Sequence, residues 1–133
     1  MKKEEHVPEN GIFCCFGCMS SVGTLTGVAA LEAYKRLDKE KNGLLCTSAI
    51  ASGVPKHRKT AEQVKTIIAI DGCYNKCTKK ILEKDGLKID KYLNLLYDLK
   101  IPKIGPFKPF DYKQEDLERT VKEILKLCGE ETK

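Results

Sequence analysis

Short runs of apolar residues alternate along the chain with longer segments of mixed character. Residues 11–16, 43–47 and 66–71 form continuous apolar runs, and the third, Thr-Ile-Ile-Ala-Ile-Asp, is rich in β-branched residues. Continuous runs of this length are typical of strands that a sheet buries on both faces. Residues 92–99 are ambiguous by periodicity, and their position after a predicted helix favours a fourth strand.

The segments between these runs predict helices. Residues 24–41 are rich in Ala and Leu and stop at an Asn-Gly pair, and residues 73–84 stop in the same way at Asp-Gly. A shorter helix is predicted within residues 56–65, after a loop of small residues at 48–55. Strands that alternate with helices predict a three-layer α/β sandwich with a mostly parallel, Rossmann-like sheet of about four strands.

The C-terminal part of the chain predicts a loop and one more helix. Residues 101–112 hold three prolines and are therefore expected to be irregular. A last helix begins near Asp111, with an apolar stripe at helical spacing formed by Leu117, Val121, Ile124, Leu125 and Cys128. At 133 residues, the chain is predicted to have a polar leader, residues 1–10, and a single α/β domain, residues 11–133.

Composition narrows the classes of function. The net charge of +5 is mild, and no basic stripe with base-stacking aromatic residues is apparent, so we expect no nucleic-acid partner. No apolar run approaches the roughly 18 residues that a membrane span needs. The charged first ten residues lack the apolar segment of a secretory signal behind them. We therefore expect a cytoplasmic protein without membrane contact, and the sequence names no partner.

Cysteine is the unusual component, because the chain has seven. A reducing cytoplasm disfavours a disulfide framework, so metal binding or thiol chemistry becomes the leading explanation. Cys15 and Cys46 end the first two predicted strands, and Cys73 follows the third. The carboxyl ends of parallel strands share one edge of the sheet, and adjacent strands lie about 5 Å apart. These three thiols are therefore expected to converge.

Cys77 is expected to add a fourth thiol at the same edge. It lies one helical turn after Cys73, so both thiols would share one face at a helix N-terminus. That end of a helix favours a thiolate over a thiol. Asp71, which immediately precedes Gly72, is placed to cap the helix with its carboxylate. Four converging thiolates suit a tetrahedral zinc ion.

Residues 70–80, IDGCYNKCTKK, resemble the core motif of the DGC-domain family. That family is named for its Asp-Gly-Cys motif, has four candidate chelating cysteines for zinc, and has no known biological role. The resemblance extends to the Ser-Ser-Val-Gly block after the first strand and covers roughly residues 11–104. Carried over by position, it implies zinc ligation by Cys15, Cys46, Cys73 and Cys77.

The first block departs from the family pattern, which has one Cys followed by Ser-Gly. Here Cys14, Cys15 and Cys18 all fall within five residues of one another. The identity of the first ligand therefore stays open, with Cys18 or Cys14 as substitutes for Cys15. A Cys15–Cys18 pair could also supply two ligands and displace Cys46.

Three functions are compatible with these residues, and whether the protein is an enzyme stays open. The first is a zinc-binding protein whose metal is held by cysteines at the carboxyl edge of the parallel sheet. The second is a thiol redox enzyme, with Cys73 as nucleophile and Cys77 or Cys15 resolving it through a disulfide. The third is an iron–sulfur protein, since four cysteines also hold clusters. Cys128 is expected to pack in the core, and His57 to lie on the solvated surface.

Overall fold

The computed structural model describes residues 6–130, which form four strands and six helices. The strands are β1 (Asn10–Cys14), β2 (Asn42–Leu44), β3 (Thr66–Asp71) and β4 (Lys91–Asn94). The helices are α1 (Ser21–Arg36), α2 (Thr47–Ala51), α3 (Pro55–Gln63), α4 (Cys77–Lys84), α5 (Leu95–Asp98) and α6 (Gln114–Leu127). None of the helices in this part of the chain is long and apolar enough to cross a membrane.

The four strands form one parallel sheet in the order β2-β1-β3-β4. β1 pairs with β3 along its whole length, ending at Cys14 opposite Ile70, and β4 pairs with β3 up to Asn94 opposite Asp71. The predicted α/β class, with a parallel sheet of about four strands, is confirmed. The β-branched run of β3 lies at the centre of the sheet, where both of its faces are buried.

Helices cover both faces of the sheet and make the fold a three-layer sandwich. On one face, Leu25 of α1 and Val121 of α6 pack with Ile70 of β3. On the other face, Phe13 of β1 packs with Leu82 of α4, and α2 and α3 contribute to the same cluster. All five of these side chains are at most 1% exposed, and burying each contributes about 2 kcal/mol. The two cores hold the strand ends in fixed positions.

The predicted strand over residues 92–99 is right only for residues 92–94, because β4 ends at Asn94 and α5 follows. The Asn94 side chain accepts hydrogen bonds from the backbone N of Leu96 at 3.0 Å and of Tyr97 at 3.1 Å. Asn94 therefore caps a helix start, which ends the extended conformation.

Other boundaries also differ from the predicted ones. α1 begins at Ser21, three residues before the predicted start, because the Ser20 side chain accepts a hydrogen bond from Gly23 N. The segment 48–55, predicted as a loop, contributes most of the short helix α2. Of the predicted leader, Asn10 begins β1, and residues 1–5 lie outside the described residues.

Residues 101–112, called here the proline strap, have no helix or strand, as predicted. The strap is fastened to the start of α1. Ser21 N donates to Ile104 O, and Ile104 N donates to Ser21 Oγ, both at 2.9 Å. Phe107 N donates to Met19 O at 2.8 Å. These bonds bring the strap beside the carboxyl edge of the sheet.

Candidate functional site

The carboxyl ends of β1 and β3 form a crevice at the centre of the sheet. The connection after β1 enters α1 on one face, whereas the connection after β3 enters α4 on the other face. Ligands of doubly wound sheets bind at such a switch point. Cys15 directly follows β1, and Cys73 follows β3 after one glycine, so both residues lie at this crevice.

Cys15, Cys73 and Cys77 line one cleft of about 710 Å³, and we call it the thiol cleft. Cys18 borders the same cleft from the loop before α1. The Cys15 Sγ lies 3.4 Å from the Oγ1 of Thr26. The same Oγ1 accepts a hydrogen bond from the backbone N of Phe16 at 3.0 Å. These contacts fasten the end of β1 onto α1.

Cys46 borders a neighbouring cleft of about 470 Å³. Cys15 and Cys77 border both clefts, whereas Cys73 borders only the first and Cys46 only the second. Cys46 was predicted to end β2, but that strand stops at Leu44, and Cys46 instead precedes the first residue of α2. The backbone of Cys46 is still extended, and the helix begins at the next residue.

The helix predicted to begin at Cys73 begins at Cys77 instead. Lys76 has a left-handed backbone, with φ 53° and ψ 47°, and its N donates to Cys73 O at 3.3 Å. A non-glycine residue in that conformation interrupts a right-handed helix. Cys73 and Cys77 therefore do not share a helical face: Cys73 opens a turn, and Cys77 is the first residue after it.

Gly72 has a steric reason to be glycine. A Cβ atom at this position would lie 2.7 Å from the carbonyl carbon and oxygen of Val22, which is at the start of α1. The backbone that leads to Cys73 therefore passes directly against the backbone of α1, and only glycine permits this approach.

The Asp71 carboxylate ties the end of β3 to the start of α4. Its Oδ1 accepts a hydrogen bond from Thr78 N at 2.8 Å, and its Oδ2 accepts one from Lys79 N at 3.0 Å. Both amides belong to the first turn of α4, whose positive end favours a carboxylate. Asp71 is 1% exposed and also accepts a hydrogen bond from Tyr92 Oη at 3.0 Å. These hydrogen bonds fix the start of α4, and with it Cys77, relative to the sheet.

Asn94 extends the same network to Cys73. Its Nδ2 donates to Cys73 O at 2.9 Å and to Tyr92 Oη at 3.2 Å. Neither Tyr92 nor Asn94 stands out in the sequence, because both fall inside a segment predicted as one continuous strand. Their positions opposite the end of β3 follow from the register, in which Asn94 pairs with Asp71.

Burial and neighbouring groups oppose ionisation of Cys77 and Cys14. Burial, followed by the nearby Cys15, Asp71 and Cys73, raises the pKa of Cys77. Burial likewise raises the pKa of Cys14 to about 12, with Cys15 and Asp71 adding to the effect. A bound cation would act in the opposite direction and favour thiolates. Within residues 6–130, no three His, Cys, Asp or Glu side chains are grouped closely enough to hold a metal ion.

Lys103 and Tyr74 form the outer wall of the thiol cleft. The Lys103 Nζ lies 4.5 Å from the centre of the Tyr74 ring. Desolvation lowers the pKa of Lys103, but the adjacent Cys73 and Tyr74 outweigh it and raise that pKa. Lys103 does not stand out in the sequence as a site residue, because it lies on the proline strap, far along the chain from the cysteines of the cleft.

The two remaining residues singled out by the sequence lie apart from the thiol cleft. Cys128 follows the last residue of α6 and packs against the core, and burial raises its pKa to about 11. His57 is exposed on α3, where it borders a third cleft, of about 490 Å³, together with Cys46.

Comparison with known proteins gives one result that covers most of the chain. A family model described as DGC domain matches residues 11–124. This range includes all of the sheet except Asn10, all the cysteines of both clefts and the proline strap. No curated protein and no solved structure gives a significant match.

Proposed function

Because the chain belongs to the DGC-domain family, we propose that it binds one zinc ion through Cys15, Cys73 and Cys77, with Cys46 as the fourth ligand. The observation that carries the proposal is that thiols from two neighbouring strand ends and a helix start line one cleft at the switch point of the sheet. Thiolate sulfur is a preferred ligand of zinc, and four of them close its tetrahedral shell. A closed shell is the mark of a structural or metal-handling site.

The choice of the fourth ligand follows from the two clefts. Cys15 and Cys77 border both of them, so a ligand from either side is available to complete the shell. The resemblance favours Cys46, which borders the second cleft, and Cys18 in the first cleft is the alternative. Cys14 is a weaker candidate, because burial keeps its thiol protonated.

The donor set suits the ion chemically, although binding requires the thiols to rearrange. A cysteine side chain moves its sulfur by rotation about a single bond, while its backbone keeps its place. Asn94 donates a hydrogen bond to the backbone carbonyl of Cys73, and Asp71 accepts hydrogen bonds from the two amides that directly follow Cys77. When bound, zinc would supply a fixed positive charge that stabilises the thiolates and joins the ends of β1, β3 and α4.

A second candidate function is thiol redox catalysis, and the ammonium of Lys103 beside Cys73 favours it. A neighbouring cation favours the thiolate, which is the nucleophilic form. In this scheme the Cys73 thiolate attacks a substrate disulfide and releases one substrate thiolate. The Cys77 thiolate then attacks the mixed disulfide and releases the other, which leaves a Cys73–Cys77 disulfide and a reduced substrate. In either scheme we propose a cytoplasmic location, where thiols stay reduced.

The deciding experiment is elemental analysis of protein purified without air, combined with a count of free thiols. We expect about one zinc per chain, which disappears in Cys73→Ser and Cys77→Ser. Cys128→Ser is the matched control, since Cys128 is a half-buried thiol outside the thiol cleft, and it should keep its zinc. Comparing Cys15→Ser with Cys18→Ser identifies the first ligand.

Two other results would overturn the zinc proposal. A chain that retains no metal, and in which Cys73 and Cys77 readily form a disulfide, would make the redox enzyme the working function. A chain that carries iron and absorbs visible light would identify an iron–sulfur protein, because zinc sites are colourless.

A further inference from the structure

The thiol cleft is larger than a metal ion requires. Its volume of about 710 Å³ lies within the range of about 300 to 1,000 Å³ that small-molecule sites occupy. It opens at the switch point of the sheet, where doubly wound folds bind organic ligands. The cysteines account for only one part of its lining, and the remaining walls need a separate explanation.

Apolar groups stand at the mouth of the cleft in contact with solvent. Met19 is 60% exposed and Tyr74 is 57% exposed, although both border the cleft. The backbone of Gly105 and Pro106, from the proline strap, forms the neighbouring wall. These groups offer a flat ligand an apolar surface at the entrance.

One positively charged side chain lies at the wall of the cleft, beside Cys73 and Tyr74. Among the described residues that line it, Lys103 is the one basic side chain, and none is Asp or Glu. The nearest buried carboxylate, Asp71, is already engaged by two backbone amides and by Tyr92. An ammonium group in a largely apolar cleft without a carboxylate partner favours a negatively charged ligand.

The strap holds Lys103 in position. The next residue, Ile104, exchanges two hydrogen bonds of 2.9 Å with Ser21 at the start of α1. Because the backbone beside Lys103 is fixed in this way, a ligand that pairs with the ammonium would not have to order the strap as well.

We propose that the thiol cleft binds a small organic anion, whose negative group pairs with Lys103 and whose apolar part packs on Tyr74 and Met19. This site does not depend on zinc. The bound anion would lie in the same cleft as the cysteines, next to the metal ion or the substrate that the thiols bind.

Benzoate is a suitable probe, because it joins a carboxylate to a flat apolar ring, and benzyl alcohol is its neutral counterpart. Each is titrated into the reduced, metal-free full-length chain while backbone amide signals are followed by NMR. We expect saturable shifts from benzoate at Gly72, Tyr74 and Gly105, and at least about tenfold weaker binding of benzyl alcohol. The same titration on zinc-treated protein shows whether the two occupants coexist.

Three variants test the role of Lys103. Lys103→Met keeps the length of the side chain without its charge and should weaken benzoate binding about tenfold or more. Lys103→Arg should restore binding, because it returns the positive charge. Lys108→Met is the matched control, since Lys108 is an exposed lysine of the same strap that does not line the cleft. It should bind benzoate as the wild type does.

The proposal is overturned if benzoate and benzyl alcohol bind equally well, or if Lys103→Met and Lys108→Met behave alike. Amide shifts confined to other parts of the chain would also overturn it. Because the titration uses metal-free protein, a failure of the zinc proposal leaves this test intact, and a failure here leaves the metal analysis intact.

Discussion

Replacement of Asn94 by alanine should lower the free energy of unfolding and loosen the segment that carries Cys73. The Asn94 side chain is 1% exposed and takes part in four hydrogen bonds. Two of them are donated by the backbone amides at the start of α5, and two are donated by Asn94 to Cys73 O and Tyr92 Oη. Alanine removes all four hydrogen bonds, which lie in partly buried surroundings.

The magnitude follows from this count. A hydrogen bond within a protein contributes about 1 kcal/mol net, and a buried group left without its partner costs about 1–3 kcal/mol. With local relaxation recovering some of the loss, we expect Asn94→Ala to cost about 3 kcal/mol. The total stability of such a domain is about 5–15 kcal/mol, so the variant should still fold.

Urea unfolding, followed by circular dichroism, measures the loss of stability. Asn94→Ser retains a good helix-capping residue, so it should recover about 1 kcal/mol at α5. It is too short to restore the bond to Cys73. Hydrogen exchange then isolates the local effect: the Lys76 amide, which donates to Cys73 O, should exchange faster in both variants.

Asn42→Ala is the matched control. Asn42 is also 1% exposed, but it lies at the amino edge of the sheet, where its side chain bonds to Asp38 O and Asn10. It should destabilise the chain without a selective change at the Lys76 amide. The reasoning is refuted if Asn94→Ala costs less than about 1 kcal/mol. It is also refuted if Lys76 responds equally to both variants.

Two further changes test other parts of the structure. Gly72→Ala places a Cβ 2.7 Å from the Val22 backbone and should lower the free energy of unfolding in urea by about 2–4 kcal/mol. The control is Gly53→Ala, which lies in open space at φ +74° and should cost about 1 kcal/mol. Equal costs for the two variants would contradict the steric argument. Burial raises the pKa of Cys128 to about 11, so its alkylation by iodoacetamide in the folded chain should accelerate about tenfold per unit between pH 8 and 10. Since the folded chain keeps a proton that the unfolded chain releases, stability should fall as the pH rises from about 9 through 11. An alkylation rate of Cys128 that does not change with pH would contradict the raised pKa of this thiol.

The layer structure could be predicted from the sequence because its signals are local. The β-branched run 66–71 coincides with β3. The apolar stripe of α6, which includes Val121, packs in the core. The start of α4 could not be predicted in the same way. Lys76 has a left-handed backbone conformation, which a lysine in the sequence does not predict. The turn that it forms is stabilised by a hydrogen bond from the Asn94 side chain to Cys73 O.

The placement of the cysteines was predictable only as far as strand ends could be located. Cys15 and Cys73 meet because β1 and β3 are adjacent, which the alternation of strands and helices does not by itself specify. Cys46 follows β2, which lies on the outer side of β1, and therefore reaches the neighbouring cleft. Lys103 depends on how the proline strap attaches to α1, a contact between segments that no local pattern encodes.

The position of the proline strap along the chain also bears on the order of events during synthesis. All the cysteines of the two clefts precede residue 78, whereas the strap begins at residue 101. During translation the thiols therefore emerge before the segment that forms one wall of the thiol cleft. Pairings between distant segments form late in folding. The nascent chain accordingly passes through a stage in which the thiol cleft is open on the side of Lys103, and attachment of the strap completes that wall.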